Sequence, residues 1–179
     1  KEMVFTFVPF FPPMMIAGLI GCFVIIGSKD HLWIYRKAPN GVKIYVKSVY
    51  FVNIIYPIII MLPFSIIISI IVGLSLLEGF LVVILSIAFI FSLMAIGIGL
   101  AFIFPTFEER GGKVGILMGA FWGLGIGLWI GALFINIFLF DFFAPYSWFY
   151  GWSLPALIFC VVAGFLLLRL GVKKLSSME

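Results

Sequence analysis

Apolar runs of twenty or more residues alternate along the chain with short polar breaks. Five runs stand out, at roughly 4–27, 48–74, 80–104, 114–140 and 152–172. Each matches the length of about 20 residues that a helix needs to cross the hydrocarbon core of a bilayer. A membrane β-strand would instead alternate apolar and polar positions over about ten residues, and "IIIMLPFSIIISIIVG" shows no such alternation. Its many Ile residues do not count against a helix, because in lipid each backbone polar group must be bonded within its own segment. The pattern predicts an all-α, polytopic membrane protein: five transmembrane helices in a single domain over 1–179, with a short amphipathic helix between the first two.

That amphipathic helix belongs to the first break, "SKDHLWIYRKAPNGVKIYVK" (residues 28–47). Ser28 is a capping residue, and Asp30 in the first turn suits the positive end of a helix. Leu32, Trp33 and Tyr35 are then interleaved with charge through Lys37. Ala38 precedes a proline and leaves helical space, Pro39-Asn40-Gly41 makes a turn, and a second helix is expected to begin near Val42. The break "PTFEERGGK" places Thr106 and Glu109 at capping-box spacing before Gly111-Gly112 ends the turn.

The remaining breaks, "SLLEG" and "DFFAPYSWFYG", contain no Lys or Arg. Ten of the eleven cations therefore fall on one side of the predicted spans, with Lys1 the exception. Cation bias in short loops assigns that side to the cytoplasm, with the N-terminus of this chain outside, the C-terminus inside, and the cell membrane as location. Opposite the cytoplasm, "DFFAPYSWFYGW" holds seven aromatic rings in twelve residues. It reads either as an interfacial aromatic belt or as a short re-entrant helix over the outer mouth of a pathway.

Composition agrees with the pattern. Of 179 residues, 65% are hydrophobic and 10% charged, with a mean hydropathy of +1.33; soluble domains carry about 25% charged residues. The net charge of +4 does not point to nucleic acid, because the cations sit between apolar runs. Cys22 and Cys160 read as small buried hydrophobes. The chain starts Lys1-Glu2, which suggests a fragment of a longer protein.

Candidate chemistry is sparse. No ionisable side chain lies well inside a span, which argues against a proton-driven carrier built from this chain alone. His31 beside Asp30 is not a metal site, which needs three or four converging ligands. No serine in a span has a base within the membrane, and no phosphate-cradling G-x-x-x-x-G-K-[ST] segment occurs. The chain is therefore expected not to be an enzyme and to hold no cofactor or metal. Asn53, Tyr56 and Asn136 are the main polar groups of the spans, and a buried amide is expected to bridge two helices.

The fourth run carries Gly115, Gly119, Gly123, Gly127 and Gly131. Steps of four residues advance 400° around a helix, so the stripe drifts by 40° per step and suits a helix crossing at an angle. Ala88, Ser92, Ala95 and Gly99 of the third run offer a small-residue mate. The stripe is either tight packing inside one subunit or a dimer or sliding interface, and Gly125 would add flexibility midway. Pro57 and Pro63 favour bends in the second run.

Glu108 and Glu109 put acid on a cation-rich face, which tilts that face from lipid towards a protein partner. Two segments, "LWIYRKAPNGVKIYVKS" and "GIGLAFIFPTFEE", resemble ABC-type exporter permeases of the type-2 membrane fold. The resemblance covers about residues 28–135 and implies the C-terminal portion of such a permease. It also implies a separate ATPase subunit, docked through Trp33, Tyr35, Arg36, Lys37, Pro39 and Lys47, with Glu108 and Glu109 next, and a second membrane half or homodimer. Arg110-Gly111-Gly112 departs from that pattern, where more polar, Asn-Pro character is expected. The alternatives are a non-transporting structural subunit, or a channel or secondary carrier.

The topography is testable. An Asn40→Cys variant is expected to escape an impermeant thiol reagent in intact cells and to react once the membrane is opened. Labelling of intact cells would invert the orientation.

Overall fold

The computed structural model of the protein describes residues 2–24, 35, 40–105, 112–143 and 147–177. Five helices account for nearly all of them: α1 (Glu2–Phe23), α2 (Gly41–Ile71), α3 (Leu76–Ile103), α4 (Gly112–Phe143) and α5 (Ser147–Ser176). No strand occurs among the described residues. In α2 to α5 the stretches Gly41–Ile71, Leu76–Ile103, Val114–Ala132 and Ser153–Ser176 are long and apolar enough to cross a membrane. The apolar stretch Phe7–Phe23 of α1 is shorter.

Local chemistry sets the boundaries. Asn40 adopts the left-handed conformation (φ 60°), one that asparagine tolerates better than most residues, and α2 starts at the next residue. That is close to the expected start near Val42, so Lys43 and Lys47 lie in the first two turns of α2 rather than in a loop. At the other end Gly73 (φ 66°) ends α2. Ser75 then caps α3: its Oγ accepts from Glu78 N–H, and Glu78 Oε2 accepts from Ser75 N–H at 2.7 Å. This capping box corrects the reading of "SLLEG" as a loop, because Leu76 to Gly79 are already helical. α2 continues through Pro57 and Pro63, and α1 through Pro9, Pro12 and Pro13.

α3 is the hub. It packs most extensively on α5 and α1, then on α2, whereas α4 leans mainly on α5 and α1. Every residue from Ser92 to Phe102 is buried. Small residues make this possible. A Cβ added at Gly21 of α1 would lie 3.0 Å from Gly97 Cα, and one at Gly99 would lie 2.7 Å from the carbonyl carbon of Leu167 in α5. On α5, a Cβ at Gly164 would meet Ala95 Cβ and the Ser92 carbonyl oxygen at 2.9 Å, and one at Gly171 would meet Phe102 Cβ at 2.9 Å. Helices in lipid associate through such close backbone approach, because lipid removes the hydrophobic gain of burial.

The α2–α3 contact adds hydrogen bonds. Ser65 Oγ donates to Ser86 Oγ (3.1 Å), which donates to the Val82 carbonyl (2.8 Å), while Ser69 Oγ donates to the Ser65 carbonyl (2.7 Å). The Tyr50 hydroxyl reaches across to the Phe91 carbonyl at 2.8 Å. Asn53 does not supply the expected bridging amide, and the Asn136 side chain lies outside the described residues. Asn53 Nδ2 donates to Val49 O in its own helix (2.8 Å), and Tyr56 is exposed. Serine hydroxyls bridge because they are short enough to sit where the helices are closest. Cys22 and Cys160 are buried and free, as the apolar reading expected.

The α3–α5 approach yields a prediction with opposite signs at two glycines. Gly99→Ala should destabilise by about 1–3 kcal/mol through overpacking, which outweighs the gain in helix propensity of about 1 kcal/mol. Gly119→Ala keeps that gain. Thermal unfolding of the two variants in detergent checks the difference.

Candidate functional site

The basic end of the bundle is assembled by three helices. Tyr45 in the second turn of α2 is buried and lies 6.0 Å, centroid to centroid, from Phe102 near the end of α3. Gly171 of α5 packs against the same Phe102. The start of α2, the end of α3 and the end of α5 therefore meet, which gathers exposed Lys43, Lys47, Arg169, Lys173 and Lys174 at one end. Lys173 and Lys174 also occupy the last turn of α5, where cations complement the negative helix end.

Of the residues expected to meet a partner, Tyr35 and Lys47 are described. The Tyr35 ring lies 5.0 Å from the Tyr45 ring, centroid to centroid, with the planes tilted by 37°, yet Tyr35 stays 38% exposed. Tyr35 thus sits against the core while remaining partly accessible. Lys47 is exposed, with Nζ 6.0 Å from the Phe51 centroid, at the limit of a cation–π contact. Trp33, Arg36, Lys37, Pro39, Glu108 and Glu109 lie outside the described residues, as do the amphipathic helix around them and the Thr106–Glu109 capping box. Of the aromatic segment 141–152, residues 144–146 also lie outside.

The glycine stripe presents a second surface. A Cβ added at Gly115, Gly119, Gly123, Gly127 or Gly131 would meet no atom within 4 Å. Gly115, Gly119, Gly123 and Gly127 are exposed, beside exposed Ile116, Ile126 and Ile130. The expected mate in α3 is turned elsewhere: Ser92, Ala95 and Gly99 receive α5. The reason is geometric. Gly164 and Gly171 are seven residues apart, nearly two full turns, so α5 carries its own small face and occupies that side of α3.

α4 attaches instead through the opposite face, along Val114, Leu117, Phe121, Gly125 and Ala132, all buried. The Phe121 ring fills the space that a Cβ at Gly18 would take, and the Met14 side chain fills that at Gly125. Gly125, expected to add flexibility, is the one glycine of α4 that receives a packed side chain. Towards the other end, Phe7 and Phe11 of α1 lie 5.9 and 5.6 Å from the Trp129 ring, and Phe10 lies 5.3 Å edge-on from Phe89 of α3. Sequence reasoning missed this cluster and the α5 glycines. The seven-residue glycine spacing was the available signal for the latter.

No group of three His, Cys, Asp or Glu side chains converges among the described residues, so none of them offers a metal donor set. What these surfaces can do is bind: paired tyrosines amid cations at one end, and a side-chain-free helix face along the flank.

Fold and surfaces together define an integral membrane protein built as an all-helical bundle. Comparison with known proteins finds no matching family model, no matching curated protein and no matching solved structure.

The outward stripe separates assembly from folding. Gly123→Leu should leave the thermal stability of the dispersed chain within about 0.5 kcal/mol of the parent, as surface changes do. Energy transfer between labelled chains or membrane partners in vesicles should fall. Gly125→Leu should instead destabilise the isolated chain through its collision with Met14.

Proposed function

We propose that the chain is membrane-spanning permease sequence of an ATP-driven, ABC-type exporter, with ATP hydrolysed on a separate subunit. In this reading the chain crosses the cell membrane five times, α1 included, with its N-terminus outside and its C-terminus in the cytoplasm. The observation that carries the reading is the ring contact of Tyr35 with buried Tyr45, itself against Phe102 of the central helix. A partner that moves the cation-rich segment would push on α3 through packed rings rather than through a loose loop. Trp33, Arg36, Lys37, Pro39, Lys47, Glu108 and Glu109 are the remaining proposed contacts.

The open glycine face of α4 fits the same reading. Such permeases need a second membrane half or second copy, and a face free of side chains lets another helix approach closely. It also favours the second reading, a non-transporting subunit that scaffolds a membrane complex, because that role needs only the stripe.

Copurification separates the two. An exporter permease is expected to bring down a soluble ATPase, and Trp33→Ala with Arg36→Ala is expected to release it while the membrane bundle keeps its unfolding temperature. An unchanged yield of ATPase in the double variant would remove the proposed docking segment. Absence of any ATPase from the parent complex would favour the scaffold.

A further inference from the structure

Along α2, Tyr50, Asn53 and Tyr56 follow one another at steps of three residues. Each step turns back about 60° around the helix, so the three lead from the α3 contact out onto the open flank. Their hydrogen bonds change accordingly. Tyr50 donates to the Phe91 carbonyl of α3, and Asn53 Nδ2 donates to Val49 O of its own helix. Asn53 is thus held by its nitrogen and keeps Oδ1 as an acceptor. Tyr56 is 58% exposed, and among the described residues its hydroxyl has no partner.

Depth makes that costly. Tyr56 stands nine residues beyond Lys47 and fifteen before the end of α2 at Ile71, about 13 and 22 Å along the axis. Hydrocarbon offers the hydroxyl no acceptor, and a polar hydrogen left without one is unfavourable there.

The residues around it form a packing seam. Asn53, Tyr56, Ile60, Pro63 and Ile67 advance by three and four residues in turn, the repeat that keeps one stripe towards a partner helix. Tyr56, Ile60, Pro63 and Ile67 are exposed and Asn53 is half-buried, so no described helix covers the stripe. Exposed apolar residues are ordinary on a helix facing lipid. The two polar residues at one end of the stripe are not.

We propose that this stripe is the contact between two copies of the chain, related by a two-fold axis along the membrane normal. Each Tyr56 hydroxyl donates to Asn53 Oδ1 of the other copy. A second copy fits because donor and acceptor stand in the same stripe. A two-fold contact sets residue i against j and j against i, so one sequence satisfies both groups twice. Helical side chains lean towards the N-terminus, which brings the Tyr56 hydroxyl to the level of Asn53, about one turn earlier. Parallel helices in register therefore place donor opposite acceptor, and a polar residue in such a seam fixes that register. The contact is independent of the exporter reading and lies on a different helix from the α4 stripe.

The test uses the full chain in native membranes and in vesicles. Ile60→Cys, in the stripe, is expected to form a disulfide-linked dimer on oxidation. Leu62→Cys, exposed but about 200° further around α2, is not. The parent is the control, since Cys22 and Cys160 are buried. Tyr56→Phe keeps the ring and removes only the hydroxyl. By energy transfer in vesicles of increasing lipid content, it should weaken self-association about eightfold, or about threefold for each of two hydrogen bonds between membrane helices. Asn53→Leu should weaken it as much, and the double variant no further, because both changes remove the same bonds. Side chains that only packed would give additive losses.

Equal crosslinking at positions 60 and 62, or none at either, would overturn the contact. Unchanged association in Tyr56→Phe would overturn the hydrogen-bonded pair on which it rests. Crosslinking of Ile60→Cys to a different membrane protein, and never to itself, would assign the stripe to that protein and end the proposal.

Discussion

Between Ser92 and Phe102 the backbone of α3 is approached from two sides at once, by α1 at Gly97 and by α5 at Gly99. In a bilayer the backbone bonds of each helix are satisfied internally, and apolar side chains gain little by leaving lipid for protein. Closeness is then the main source of attraction, and it is available only where side chains are absent or very small. Gly21, Gly97, Gly99, Gly164 and Gly171 supply it here. The burial of α3 along its second half and the seats of α5 and α1 follow from that one constraint.

The same rule accounts for what α4 does not do. Its longest series of glycines is placed where nothing in the described chain approaches, and it is fastened by Phe121 filling the space over Gly18 and Met14 filling that over Gly125. Glycine therefore plays two roles in one fold: as the point of closest approach around α3, and as a bare strip on the flank of α4. Which role a glycine takes depends on the helix beside it. Gly123 and Gly125, two residues and about 200° apart, show the switch in little more than half a turn.

Polar groups divide the labour between the ends. At the basic end, Tyr35, Tyr45 and Phe102 form a continuous aromatic contact from an exposed ring to the centre of the bundle. Further along, the Ser65 hydroxyl holds α2 to α3 by donating to Ser86, while the Ser69 and Ser86 hydroxyls donate to carbonyls of their own helices, so no polar hydrogen of these serines is left to lipid. Beyond them the pair ends in the Ser75–Glu78 capping box. The α2–α3 hairpin thus runs from an aromatic contact through a hydroxyl contact to a charged cap.

Runs of apolar residues, their lengths and the polar breaks between them were enough to establish an all-helical membrane protein, because hydrocarbon thickness and backbone bonding leave a chain few options. The start of α2 after Asn40 and the buried thiols of Cys22 and Cys160 were legible for similarly local reasons. The box formed by Ser75 and Glu78 is equally local, with the three-residue spacing of a capping box. Which glycines meet which helix was not legible. A stripe at spacing four describes one face of one helix, and its partner depends on what other faces compete for the same space. Only the assembled bundle shows α5 taking the small face of α3, turning the α4 stripe outward, and bringing Tyr35 and Tyr45 against Phe102, because those contacts join residues far apart in the sequence.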